Sequence, residues 1–212
     1  RNNIKNDRVL NILIKKMAES VKQPLSYNRL KNVIVATGSP ISVPTAIDYV
    51  DYASDSWLIL PLENEVGKLT EKEMQKKYYF VDNGLLNLFL MNSETSLLEN
   101  MVAVELFRRY GKENVYYLNA DKEIDFIVPD EKLAIQVSYS IKDETTYNRE
   151  VPPLAKYAKA HEDWKCLLIT YDEDGTEEGI PVVPVWKWLM RDGFRYAARL
   201  QTSLSCHSDV QG

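Results

Sequence analysis

Apolar residues in the first 75 positions fall into three helical stripes followed by a short continuous run. Val9, Leu10, Ile12, Leu13 and Met17 recur at the spacing that gathers side chains on one face of a helix. A second stripe opens at Ser26, whose hydroxyl suits an N-cap, and groups Leu30, Val33 and Ile34 before Gly38, Ser39 and Pro40 end it. The third starts after Ser42, carries Pro44 in its first turn, runs through Ala46, Ile47, Tyr49, Val50 and Ala53, and stops near Asp55. Trp57 to Leu62 is then an apolar run containing Pro61, which predicts a strand. Three short helices followed by a strand pair is the order of a winged helix, in which the third helix is the one able to enter a groove.

The rhythm changes near residue 75. Lys77 to Val81 reads as a strand ended by Asp82-Asn83-Gly84, and Leu85 to Leu90 as a short helical stretch. Ser96 opens a helix running to about Tyr110, where Gly111 closes it. Strands are expected at Val115 to Leu118, Glu123 to Val128 and Leu133 to Ser138, then a helix within Tyr147 to His161. Cys166 to Tyr171 is a near-continuous apolar strand of the kind buried on both faces. After an acidic turn from Asp172 to Gly179, Pro181 to Pro184 leads into Val185 to Met190, a last strand turning into a helix. The expected division is 1–75 as a winged-helix-like domain, 76–190 as a mixed α/β domain, and 191–212 as a tail without usable pattern.

With 212 residues, 45% hydrophobic and 27% charged, the chain can bury one substantial core or two small ones. No run approaches the roughly 18 apolar residues that cross a bilayer, so no membrane partner is expected. Cys166 and Cys206, with only His161 and His207 as companions, cannot build a disulfide framework or a zinc ribbon, which favours a reducing, cytoplasmic setting. The chain starts at Arg1 without methionine or leader, and a piece of a longer protein is expected. The net charge of −5 is unevenly spread. Arg1, Lys5, Arg8, Lys15, Lys16, Lys22, Arg29 and Lys31 face only Asp7 and Glu19 in the first 31 residues, whereas residues 32–67 hold no Lys or Arg beside Asp48, Asp51, Asp55, Glu63 and Glu65. The third helix is therefore expected to pack on protein rather than enter DNA, leaving Lys15, Lys16 and Lys22 for weak phosphate contact.

Polar residues stand oddly inside the second half. Asp125 lies between Ile124 and Phe126, and Gln136 between Ile135 and Val137, where apolar side chains are cheaper to order. Glu99 and Glu105 lie on the helix before them. A helical Glu with acidic or amide oxygens from two neighbouring strands is how a hard cation such as magnesium is held, water and phosphate filling its other positions. Structural readings stand beside this one. Asp125 can pair with a nearby Lys or cap a turn, and Glu105 can pair with Arg108 or Arg109. Trp57, Trp186 and Trp188 read as core, Asp172 to Gly175 as a solvated hairpin turn lacking EF-hand spacing, and His161 and His207 as residues without a partner pattern.

Four segments carry a family resemblance: Tyr78 to Leu86, Leu97 to Leu106, Glu123 to Val128 and Ile135 to Ser138. Together they resemble the C-terminal region of bacterial and archaeal AAA+ superfamily ATPases, over roughly residues 8 to 190. The resemblance implies a P-loop ATPase domain first, then a winged helix, then a domain of unassigned function similar to the PD-(D/E)XK nuclease fold. On that pattern Glu99 matches the helical acid and Asp125 the acid of the second strand. Gln136-Val137-Ser138 replaces acid, spacer and lysine. Gln136 keeps an amide oxygen but loses a charge, so magnesium would be held weakly by Glu99, Asp125 and Gln136. Ser138 supplies neither the charge nor the basicity of the lysine, for which Lys122 or Lys142 is the substitute nearest in sequence. A degenerate site is expected, serving recognition or regulation; the alternative is a metal-dependent nuclease or a DNA-binding module acting with the ATPase domain. No stretch matches G-x-x-x-x-G-K-[ST]: Gly67-Lys68 and Gly111-Lys112 lack the upstream glycine and the following hydroxyl. ATP binding is thus expected only in an N-terminal domain outside this sequence, which would also be the partner of this part.

Overall fold

The computed structural model describes residues 6–91, 93–120 and 123–190. The tail at 191–212, with Cys206 and His207, and also Lys122, lie outside the described residues. The three predicted helices form, as α1 (Asp7–Glu19), α2 (Tyr27–Ala36) and α3 (Val43–Asp55). Ser26 and Ser42 cap α2 and α3 by accepting from the backbone N–H of Arg29 and Thr45, which satisfies donors that the first helical turn cannot. A two-residue strand, β1 (Leu25–Ser26), precedes α2. Next come β2 (Ile59–Asn64), a short helix α4 (Leu69–Met74), β3 (Gln75–Phe80) and another short helix α5 (Asn83–Asn87).

The second half contains α6 (Glu94–Tyr110), β4 (Tyr116–Asn119), β5 (Glu123–Val128), β6 (Leu133–Val137), α7 (Glu144–Ala160), β7 (Lys165–Thr170), β8 (Gly175–Glu177) and β9 (Ile180–Pro184), then a helical segment at residues 185–190. The described strands make one mixed sheet in the order β1-β3-β2-β4-β5-β6-β7-β9-β8. β5 runs antiparallel to its neighbours β4 and β6, whereas β6, β7 and β9 are parallel. The chain is thus a mixed α/β fold built on a large mixed sheet.

The two ends of the sheet meet at a narrow seam. β2 and β4 pair in parallel only at Glu63 with Tyr116 and Asn64 with Tyr117. The Asn64 amide extends the ladder, accepting from Asn119 N–H (3.1 Å) and donating to Asn119 C=O (3.3 Å), while Glu65 N–H reaches Tyr117 C=O.

Residue 75 is the first residue of β3, which pairs with both β1 and β2, and one buried apolar cluster runs from Val9 in α1 through Tyr79 and Leu106 to Trp188. A smaller cluster lies under α7, around Ile124, Leu154 and Leu168. Trp188 is buried as expected, but Trp57 and Trp186 are exposed. Trp57 sits in the turn between α3 and β2 with a left-handed backbone (φ 59°), and Trp186 is on the outer side of the last helical segment. The acidic turn after β7 is not a hairpin between β7 and β9, because those strands are parallel. Glu173 in it accepts from Ser140 Oγ and Ile141 N–H, so it ties the loop after β6 in place.

Candidate functional site

α6 packs against both β3 and β6, which aims its inner face at the middle of the sheet. Glu99 projects from that face, and the period of two along β5 and β6 turns Asp125, Gln136 and Ser138 toward the same space. All four line one open cavity of about 470 Å³, along with Glu123, Glu150, Arg149 and Lys22. Glu99 is only 4% exposed and Asp125 only 6%. Glu105 lies outside this cavity and is clamped by Arg108 and Arg109, its expected structural role.

Beneath the carboxylates lies a residue that the sequence reading passed over. Lys77 of β3 is wholly shielded, at 0% exposure, and its Nζ stands 2.8 Å from Glu123 Oε1, 3.4 Å from Asp125 Oδ1 and 3.9 Å from Glu99 Oε1. It also lies over the Tyr117 ring. Tyr79, two residues along β3 and therefore on the same face, donates its hydroxyl to Glu99 Oε1 at 2.8 Å. Asp125 Oδ2 accepts from Val137 N–H at 2.9 Å, and Asp125 N–H donates to Gln136 Oε1 at 3.3 Å. Gln136 Nε2 donates in turn to Glu150 of α7, whose other oxygen holds Arg149. The network ties β3, α6, β5, β6 and α7 together.

Burial shapes its protonation. Desolvation first, then the neighbouring Asp125 carboxylate, pushes Glu99 up to about 8 against the opposing pull of Lys77 and Tyr79. Asp125 is raised by burial too, Glu150 and Glu123 adding to the effect while Lys77 and the Val137 N–H counter it. Burial alone would lower Lys77, but Asp125, Glu99 and Glu123 more than offset it and hold the ammonium above its ordinary range.

A hard divalent cation needs several oxygens turned toward one point at 2.0–2.6 Å. The donor set here does not fit that demand. Gln136 Oε1 faces the Asp125 amide, Asp125 Oδ2 faces the Val137 amide, and Asp125 Oδ1 and Glu99 Oε1 face the Lys77 ammonium. Among the described residues no three His, Cys, Asp or Glu side chains converge as a metal site.

Of the two expected substitute lysines, Lys142 is not among the residues that line the cavity. Lys142 is exposed and lines a different hollow beside Glu173 and Tyr147, and Lys122 is outside the described residues. Ser138 Oγ is turned to the Ser140 carbonyl at 2.9 Å. Of the N-terminal lysines, Lys15 is exposed, Lys16 pairs with Glu19, and Lys22 reaches the cavity rim, where it donates to Thr95. His161 does have partners, stacking on Tyr157 and meeting Trp164 edge-on over a more apolar hollow beside α7.

The chain is similar in part to known proteins, none of which carries a described activity. Residues 1–96 match a family described as Domain of unknown function (DUF8612). The uncharacterized protein MJ1544 of Methanocaldococcus jannaschii is a distant archaeal homologue, 34% identical over 206 residues. That alignment takes in 88% of this chain and 44% of the relative, so the chain spans less than half the relative's length. No solved structure matches the chain. Among the described residues no helix is long and apolar enough to cross a membrane.

Proposed function

We propose that this chain is a recognition or regulatory module of an AAA+ superfamily ATPase, made of a winged-helix-like part and a PD-(D/E)XK nuclease-like part whose site does not cleave. The order α1, β1, α2, α3, β2, α4, β3, with β3 between β1 and β2, supports the first part. Helix α6 followed by β4, β5 and β6, then α7 crossing to a parallel β7, supports the second. More than half of the archaeal relative lies outside the alignment, room in that protein for a separate domain. In this reading ATP binds only to such an N-terminal domain, which is also the main partner. The described cysteine, Cys166, is free, which suits a reducing cytoplasm.

The observation that carries the reading is the direction of the site's positive charge. Phosphodiester cleavage needs a cation or donor facing the scissile phosphate as its charge develops. Lys77 instead faces Glu99, Asp125 and Glu123 from beneath, position 138 offers a hydroxyl already bonded to backbone, and on the cavity wall Lys22 and Arg149 are engaged by Thr95 and Glu150. The outer face of α3 presents Asp48, Asp51 and Asp55, all exposed, which opposes DNA insertion. The test incubates the protein with single- and double-stranded DNA and RNA in magnesium or manganese. No cleavage is expected; cleavage that Asp125→Ala abolishes would establish a metal-dependent nuclease instead. In a titration of labelled duplex at about 100 mM salt, binding weaker than micromolar is expected, and tight binding lost in Lys15→Ala and Lys16→Ala would establish a DNA-binding module.

A further inference from the structure

Carboxylates gathered in a buried place repel one another unless a positive charge lies among them. In the arrangement that Glu99, Asp125 and Gln136 resemble, that charge is a divalent ion; here it belongs to the chain itself. The Lys77 ammonium lies within 4 Å of Glu123, Asp125 and Glu99, and no part of the side chain reaches solvent. Its N–H donors reach Glu123 at 2.8 Å and Asp125 at 3.4 Å, and Glu99 stands 3.9 Å away. The aliphatic stem of Lys77 is buried with it, next to Tyr79 and Tyr117 in the apolar cluster, so the nitrogen is fixed from below and cannot swing out to admit an ion.

We propose that Lys77 is a built-in substitute for the metal ion, which makes the cluster of Glu99, Asp125 and Glu123 independent of divalent cations and leaves a latent cation site that appears when the ammonium is removed. The inference rests on the nuclease-like reading of the cavity but concerns its charge balance rather than its chemistry. Glu123 is what distinguishes the two arrangements. It makes the shortest contact with Lys77, and it is partly solvent-exposed, so it can close over a vacated position from the open side.

Lys77→Met tests the idea cleanly, because a methionine side chain ends one atom short of the lysine nitrogen and so keeps the stem while emptying the ammonium position. Thermal unfolding and calorimetric titration are carried out with manganese chloride or calcium chloride alone, each against a chelator. For the wild-type chain no saturable binding and no shift of Tm are expected. For Lys77→Met the Tm drops in chelator and is restored by several degrees with manganese at roughly 100 times Kd, with binding at least about tenfold tighter than in the wild type. Adding Asp125→Asn to Lys77→Met removes the response. Lys77→Gln, neutral and of similar size, serves as a second variant and behaves likewise.

Saturable manganese binding by the wild type that Asp125→Asn abolishes overturns the proposal. So does a folded Lys77→Met or Lys77→Gln protein that gains no response to either ion, or failure of both variants to fold even in excess manganese, since a vacated site of this kind would be filled. Cleavage of nucleic acid by the wild type bears on the preceding reading; a missing metal response in the variants, with cleavage absent throughout, bears on this one alone.

Discussion

Tyr79 holds Glu99 through a single hydroxyl in a place water does not reach, so the energetic weight of that bond is measurable by deleting one atom. Tyr79→Phe is expected to cost about 1–2 kcal/mol, read as a lowered urea midpoint with unchanged slope. Glu99 itself sets a pH dependence. Its folded-state value of about 8 lies above the ordinary 4.5, so the native protein keeps a proton that the unfolded chain releases between those values. The stability this contributes is therefore whole below the unfolded value and lost as pH rises through the folded one. Asp125 is shifted in the same direction. Tm should decline from about pH 5 to about pH 8.5, and Glu99→Gln, neutral throughout, should flatten the decline; a variant that loses Tm as steeply as the wild type would show that another group is responsible.

At the scale of elements, α6 and β3 are joined by one side chain that behaves like a strand. Asn100 accepts from Phe80 N–H at 2.7 Å and donates to Phe80 C=O, both bonds buried, and it also donates to the half-buried Asn83 Oδ1. Asn100→Ala leaves both backbone groups of Phe80 buried without partners and should cost about 3 kcal/mol in a urea titration, whereas a loss under about 1 kcal/mol would mean that water takes their place. Much of this level was legible in the sequence. Serine caps and helical stripes marked α2 and α3, and the apolar stretch around Asp125 marked β5 to its end residues, because those signals are local. Asp125 and Gln136 were legible for the same reason, a polar residue in an apolar strand standing out, whereas Glu99 on its helix and Ser138 after the strand came with the family resemblance. Lys77 and Glu150 did not stand out. Lys77 lies 48 residues before Asp125 and reads as an ordinary polar strand end until the sheet folds it beneath α6. Glu150 lies in a polar helix, and only the fold shows that it is buried beside Gln136. β1 and α4 were missed because two residues of strand and six of helix hold too little periodicity to read.

For the molecule as a whole, the shared cluster from Val9 to Trp188 argues against independent halves, although the sequence changes rhythm near residue 75. A piece ending at residue 75 would lack β3, the strand between β1 and β2, and would expose Leu13, Leu30 and Leu62. It is expected to show collapsed amide proton dispersion in NMR, while the longer chain unfolds in one transition; a well-dispersed spectrum from the piece would establish a self-sufficient domain. The seam between β2 and β4 bears on time rather than on equilibrium. Its closing amide joins Asn64 to Asn119 across 55 residues, so the contact gains nothing until a long stretch of chain has been drawn together. Such a contact is expected to form after the rate-limiting step. Asn64→Ala should therefore quicken unfolding several-fold and leave the refolding rate nearly unchanged, making two strand residues and one side-chain amide the clasp that governs how long the native molecule lasts.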